Sequence, residues 1–77
     1  MKKVDIYTSN TCGYCHAAME YFKENNIEFT EHNVSLDPVA RKELMSKGVM
    51  SVPLILIDGE QILGFDKSKV DSLLELQ

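Results

Sequence analysis

Two cysteines at the junction of a strand and a helix restrict this chain more than any other feature. Cys12 and Cys15 are its only cysteines. An apolar-rich strand pattern ends just before them, and a helical pattern follows at 17–23. The polar loop 9–11 contains good N-cap residue types, so we expect the helix to begin beside Cys12. A thiol pair in that setting is typical of redox-active sites.

The position of each cysteine predicts its role. Unpaired N–H groups in the first turn of a helix, together with the helix dipole, stabilise a thiolate at Cys12. Such settings lower the pKa of a cysteine from about 8.5 to between about 3.5 and 7.5. Cys15 lies one turn deeper and should be shielded. We therefore expect Cys12 to attack a substrate disulfide and Cys15 to resolve the mixed disulfide formed on Cys12.

Composition narrows the class of protein. Seventy-seven residues, 44% of them apolar, predict one globular domain over 1–77. A net charge of −4 without a run of Lys or Arg argues against nucleic acid as a partner. The longest apolar stretch, 52–57, is far shorter than the ~20 residues of a membrane span. We therefore expect the chain to stay in the cytoplasm, and its exposed polar faces predict a monomer. In that reducing compartment a disulfide is usually catalytic.

The hydrophobic pattern predicts the order β-α-β-α-β-β-α. Strands are expected over 3–8, 27–34, 52–57 and 60–63, and helices over 13–24, from Pro38 to a stop at Gly48, and over 67–76. A right-handed crossover makes the first two strands parallel. The Asp58-Gly59 turn makes the last two an antiparallel hairpin. These rules give an α/β fold with a mixed four-stranded sheet and three helices on its two faces.

Helical spacing also predicts which side chains are buried. The expected inward set is Cys15, Ala18, Met19 and Phe22 on the first helix, Leu36, Ala40 and Leu44 on the second, and Val70, Leu73 and Leu74 on the third. His32 is expected at the surface, and Met45 and Met50 as fillers of the core or its rim.

Four motifs together resemble the glutaredoxin family of the thioredoxin-like fold. They are Ile-Tyr-Thr at 6–8, Thr-Cys-Gly-Tyr-Cys at 11–15, Ser-Val-Pro at 51–53 and Gly-Phe-Asp at 64–66. The resemblance covers almost the whole chain. It implies a disulfide oxidoreductase that holds no bound cofactor and uses glutathione as its reductant or cosubstrate. Glutathionylated or disulfide-bonded proteins would be its substrates.

The resemblance also implies a substrate site. The bond between Val52 and Pro53 should be cis and lie against the sulfurs, with the Val52 backbone pairing with an incoming peptide or glutathione. The backbone of 65–66 and the Asp66 side chain would hold the γ-glutamyl end of glutathione. The residues implied in binding are Tyr14, Val52, Pro53, Gly64, Phe65 and Asp66.

Two departures from the family pattern leave the electron donor open. Glutathione-using members typically carry a Lys where this chain has Ser9 and Asn10, and a second glycine beside Gly64. The Gly64-Phe65 pair is similar to redoxins that take electrons from thioredoxin reductase and pass them to ribonucleotide reductase. The residues between the cysteines favour a glutaredoxin instead.

Metal binding is the alternative interpretation of the cysteines. A zinc site could draw on Cys12, Cys15, His16 and His32, but the adjacency of Cys15 and His16 crowds a tetrahedral centre. Glutaredoxins with a small residue at the position of Gly13 can sometimes bridge an iron–sulfur cluster across a dimer. We expect no resident metal.

Overall fold

The computed structural model describes residues 3–74, which form seven elements in the predicted order. The strands are β1 (Val4–Thr8), β2 (Thr30–Asn33), β3 (Leu54–Ile57) and β4 (Glu60–Leu63), and the helices are α1 (Gly13–Glu24), α2 (Pro38–Ser46) and α3 (Lys67–Leu74). The predicted end of the last helix, at 75–76, lies outside the described residues. No helix within 3–74 is long and apolar enough to cross a membrane.

The strands form one mixed sheet in the order β2-β1-β3-β4. β1 is parallel to β2, with Ile6 opposite Glu31, and antiparallel to β3, with Ile6 opposite Ile55. β3 and β4 form the expected antiparallel hairpin, in which Ile55 lies opposite Ile62. The thioredoxin-like fold class is therefore confirmed. β1 and β3 occupy the interior of the sheet, and this places the ends of both strands next to each other at the cysteines.

The second strand is shorter than the predicted 27–34. The Ile27 N–H donates to the Phe22 carbonyl at 2.8 Å, so this residue still belongs to the exit of α1. Asn26 adopts a φ of 57°, the left-handed conformation that asparagine tolerates at helix ends. Pairing with β1 starts only at Thr30.

Helices cover both faces of the sheet and give two apolar clusters. The larger one lies under α1 and α3 and contains Val4, Ile6, Ala18, Phe22, Ile55, Ile57, Ile62 and Val70. The smaller one lies under α2 and contains Tyr7, Ala40, Leu44 and Leu54. Alternate residues of β1 supply the two clusters, as expected for a strand covered on both sides.

The prediction that Leu36 is buried together with Ala40 and Leu44 of the second helix is wrong. Leu36 is 72% exposed, whereas Ala40 and Leu44 are buried. The helix begins only after Asp37, whose Oδ1 accepts the Val39 N–H at 3.0 Å as an N-cap. Leu36 precedes this cap, so the helical period does not extend to it. On the same side of the sheet, Met45 is 54% exposed.

His32 is not the plain surface residue that the sequence predicted. Its ring lies 4.8 Å from the Tyr7 ring in a stacked arrangement, and its Nε2 lies 3.0 Å from Asp5 Oδ1. Burial raises the pKa of the Tyr7 phenol, and the carboxylates of Glu43 and Asp5 raise it further. His32, Tyr7 and Asp5 therefore form a polar cluster on the face of the sheet that α2 covers.

Candidate active site

Cys12 and Cys15 are joined by a disulfide at the start of α1, with their Cα atoms 5.3 Å apart. Cys12 itself is the N-cap: its backbone is extended, and its Sγ accepts the Cys15 N–H at 3.1 Å. The sequence located the helix start correctly but indicated a capping side chain in the loop 9–11. A backbone donor aimed at a cap atom favours negative charge on that atom.

The two sulfurs differ in accessibility. Cys15 is fully buried, and its Sγ lies 4.0 Å from the Tyr7 carbonyl oxygen on β1. Cys12 is only half-buried and borders an open cleft. An incoming disulfide can therefore reach Cys12 without disturbing the core, whereas Cys15 is shielded by the strand behind it.

The cleft beside Cys12 has a volume of about 720 Å³. Its lining residues are Ser9, Thr11, Cys12, Gly13, Tyr14, Ala17 and Val52. Three of the predicted catalytic and binding residues thus share one cleft, namely Cys12, Tyr14 and Val52. None of the lining side chains carries a formal charge, so the cleft suits an apolar or neutral group next to the reacting sulfur.

Pro53 and Gly64 lie directly beside each other. The Val52–Pro53 bond is cis, as the family resemblance implies, and Pro53 is buried. The Gly64 N–H donates to the Pro53 carbonyl at 2.8 Å. Gly64 has a φ of +81°, which a residue with a side chain rarely adopts. This hydrogen bond places the start of the segment 64–66 at the edge of the site.

Phe65 and Asp66 do not join the cleft lining. The Phe65 ring packs on Tyr21, with 5.7 Å between ring centroids. Asp66 Oδ1 accepts the Lys69 N–H at 3.2 Å and so caps α3. The structure therefore gives both residues a role in anchoring α3, beside the segment that approaches Pro53.

One polar cluster that fixes this segment was missed from the sequence. The Tyr21 hydroxyl donates to Asp71 Oδ1, and this hydrogen bond raises the pKa of the phenol. Lys67 Nζ lies 3.6 Å from Asp71 Oδ2 and 5.0 Å from the centroid of the Tyr21 ring. Tyr21 and Asp71 are 50 residues apart, so no local pattern indicates their contact.

A second missed cluster braces the loop that leads to Cys12. The Asn10 N–H donates to Ser35 Oγ at 3.1 Å, and Asn33 Nδ2 donates to Asn10 Oδ1 at 2.9 Å. Directly behind them, the hydroxyl of Thr8, which is 1% exposed, donates to Glu31 at 2.8 Å. The loop of the redox pair is thus tied to β2 and to the segment that enters α2.

The structure does not assemble the four residues of the zinc alternative. His32 is held by Asp5 and stacks on Tyr7, and His16 is exposed on α1. Within residues 3–74, no group of three or more His, Cys, Asp and Glu side chains is placed to hold a metal ion.

The sequence of this chain matches proteins of the glutaredoxin family. The glutaredoxin family model matches residues 4–62. A glutaredoxin-like 8.6 kDa protein encoded in the rubredoxin operon of Clostridium pasteurianum is 42% identical over 73 residues, covering 94% of this chain and 97% of that protein.

Two solved structures share the fold over nearly the whole chain. The thioredoxin-like protein BC3987, in its T8A mutant form, superposes with a TM-score of 0.91 at 35% identity, covering 100% of both chains. The NrdH-redoxin of Escherichia coli, described as glutaredoxin-like with a thioredoxin-like activity profile, gives 0.78 at 27% identity, covering 97% of this chain and 95% of that one. With a cysteine pair on this fold and a family match over most of its length, the chain belongs to the glutaredoxin family and is a thiol–disulfide oxidoreductase.

Proposed function

We propose that this protein reduces protein disulfides and glutathione mixed disulfides through Cys12 and Cys15. The observation that carries the proposal is the difference in accessibility between the half-buried Cys12 and the fully buried Cys15. In the reduced protein the Cys12 thiolate attacks one sulfur of the substrate disulfide. A mixed disulfide forms on Cys12, and the other substrate sulfur leaves as a thiolate.

Cys15 completes the reaction with a protein disulfide. Its thiolate attacks Cys12 Sγ, which releases the second substrate thiolate and closes the Cys12–Cys15 disulfide. The substrate gains two electrons and the protein loses two. The disulfide in the structure corresponds to this oxidised product. The Cys15 N–H, which already points at Cys12 Sγ, stabilises that sulfur when it is a thiolate.

Glutathione is the first candidate for the electron donor. It would lie in the cleft between Tyr14 and Val52, with its γ-glutamyl end toward the start of α3 and Asp66. The Gly64–Pro53 hydrogen bond supports this path, because it holds the segment before α3 against the residue that follows Val52. We propose that the protein acts as a monomer in the reducing cytoplasm and needs no prosthetic group.

The proposed roles predict a split phenotype for Cys15→Ser. The variant should keep the release of glutathione from a glutathionylated peptide, because that reaction needs only Cys12 and free glutathione. It should lose at least about 100-fold in reduction of an intramolecular peptide disulfide, because the mixed disulfide can no longer be resolved from within. Mass spectrometry should find the substrate trapped on Cys12. Equal loss of both activities would refute the assigned roles.

An electron carrier reduced by a flavoprotein is the second candidate. The observation that favours it is the absence of any charged side chain in the cleft lining. Ser9, which lines the cleft, occupies one of the two positions at which glutathione users typically carry a lysine. Glutathione carries two carboxylates, and this cleft offers neither of them an ion pair. A thioredoxin reductase would supply the electrons, and ribonucleotide reductase or another disulfide-bearing protein would receive them.

A comparison of donors separates the two candidates. The oxidised protein is mixed with NADPH and either glutathione plus glutathione reductase or thioredoxin reductase, and NADPH consumption is followed. For the first candidate, glutathione reduces the wild type, and Ser9→Lys accelerates that reduction about two- to fivefold, the size expected of one exposed ion pair. Ser9→Gln is the matched control, since it adds length without charge. Reduction by the flavoprotein alone, with no gain from Ser9→Lys, would establish the second candidate.

A further inference from the structure

An apolar groove lies on the outer face of α2, away from the sheet. Its lining residues are Pro38, Val39, Arg41, Lys42 and Met45, and its volume is about 280 Å³. Val39 and Met45 are 66% and 54% exposed. They lie on the opposite side of the helix from the buried Ala40 and Leu44. The groove therefore presents apolar side chains that the core of this chain does not use.

Two cations border the groove, and both are unpaired within residues 3–74. Neither Arg41 nor Lys42 forms an ion pair with any described side chain. Of the carboxylates nearest in the sequence, Asp37 caps the helix, and Glu43 forms no ion pair with a described side chain. The chain as a whole has a net charge of −4, so the groove is a positive patch on an acidic protein.

The segment that leads into the groove is tied to the loop of the redox pair. Ser35 and Asn33, which lead into α2, bond to Asn10, two residues before Cys12. From Ser35 to Pro38, the first groove residue, is three residues, so the chain path keeps Pro38 within about 25 Å of Cys12. A partner segment of about eight extended residues spans that distance.

We propose that the groove binds an acidic amphipathic segment of the proteins whose disulfides this enzyme reduces. Apolar side chains of the segment pack on Val39 and Met45, its carboxylates face Arg41 and Lys42, and the disulfide lies at Cys12. The recognition step rests on the proposed function. The groove provides a second binding site outside the neutral cleft. Specificity for a protein substrate then depends on the charge of a substrate segment that is remote from the substrate disulfide.

Charge also argues against two other occupants. A second copy of this chain, docked groove to groove, would bring two pairs of Arg41 and Lys42 together, and the like charges repel. A nucleic acid would meet only two cations on a protein with a net charge of −4. An acidic amphipathic segment of a protein can both pack on Val39 and Met45 and form ion pairs with Arg41 and Lys42.

Binding is tested first, without any redox chemistry. The probes are two synthetic amphipathic peptides that lack cysteine and share one set of leucines, with Glu on the polar face of one and Lys on the other. The ¹⁵N-labelled oxidised protein is titrated with each. The Glu peptide should shift the amides of 36–45 and bind at least about tenfold more tightly than the Lys peptide at low salt, with the difference falling as salt rises.

The variants separate the groove from general charge. Arg41→Glu with Lys42→Glu should reverse the preference between the two peptides. Val39→Ser with Met45→Ser should weaken both. The matched control is Lys23→Glu with Lys69→Glu, which makes the same change in net charge at two exposed lysines on α1 and α3 and should preserve the preference.

The catalytic consequence is measured with the reduced protein in a single turnover. A short peptide ring closed by one disulfide is used alone, and again with the Glu or the Lys peptide attached through a flexible spacer. The Glu form should react at least about fivefold faster than the bare ring at low salt, and the advantage should disappear in the groove variants.

Each result has a distinct meaning. Binding of the Glu peptide to α2 without reduction of the bare ring would uphold the groove and defeat the proposed function. Reduction of the ring without preference between the two attached peptides would overturn the groove alone. A control variant that loses the preference as fully as the groove variants would also overturn it. So would self-association that the serine substitutions abolish, since the occupant would then be a second copy.

Discussion

Replacing Cys12 with serine should lower the rate of disulfide reduction by at least about 1,000-fold, a loss typical of removing the attacking atom. A serine hydroxyl is not ionised at neutral pH and does not attack sulfur. Serine is also a preferred N-cap, so its Oγ can accept the Cys15 N–H that Cys12 Sγ accepts now. The variant should therefore lose its chemistry while α1 keeps its start. Single-turnover reduction of a glutathionylated peptide, followed by chromatography, measures the loss.

Two controls make this result interpretable. The midpoint of thermal unfolding of Cys12→Ser should match that of reduced wild type, which removes unfolding as the cause. Cys15→Ser serves as the matched thiol variant and should retain the same glutathione-releasing step. Substantial activity in Cys12→Ser would mean that the buried sulfur attacks directly, contrary to its enclosure behind β1.

Phe22→Ala should cost about 3–5 kcal/mol of the free energy of unfolding. Phe22 is fully buried in the cluster under α1 and α3, and the centroid of its ring lies 5.5 Å from that of the Phe29 ring. Removing the ring loses its transfer energy and leaves a cavity between the helix and the sheet. At about 0.05–0.15 kcal/mol per residue, a domain of 77 residues has a total stability of about 4–12 kcal/mol, so the variant should retain little of its free energy of unfolding. Urea unfolding monitored by circular dichroism provides the measurement.

Val39→Ala is the matched control for that measurement. It also shortens an apolar side chain on a helix, but this side chain is 66% exposed. Its effect should stay within about 0.5 kcal/mol, the usual range for surface substitutions. A loss below about 1 kcal/mol in Phe22→Ala would contradict the central place of this ring in the core.

The parts of the fold that were predictable carry local signals. α1 shows its apolar spacing, α2 begins with Asp37-Pro38, and the hairpin has its Asp58-Gly59 turn. α1, α2 and β4 start where these patterns indicated, whereas β3 starts at Leu54 instead of the predicted residue 52. The burial predicted for Leu36 was wrong because the helical period was extended to a residue that lies before the Asp37 cap and so outside the helix. The prediction that His32 is a plain surface residue was wrong for a different reason. Its partners Asp5 and Tyr7 lie on a strand that is far away in the sequence.

The candidate site divides in the same way. The cysteine pair and the cis bond at Pro53 followed from short motifs and from the family that the motifs resemble. The absence of charge from the cleft lining could not be predicted in this way, because Ser9 and Val52 come from separate segments that only the fold brings together. The anchoring of Phe65 by Tyr21 was equally invisible, since it depends on how α1 and α3 pack against each other.

The order of the strands has a consequence for how the molecule comes apart. Cys12 follows β1 and Pro53 precedes β3, and these two strands are the interior pair of the sheet. Proteins open in steps, and edge elements exchange their amide hydrogens at lower free energy than central ones. β2 and β4 can therefore separate while the two central strands remain paired with each other. The two strands that flank the redox centre should therefore be the most persistent part of the fold, and their amides should be among the last to exchange with solvent.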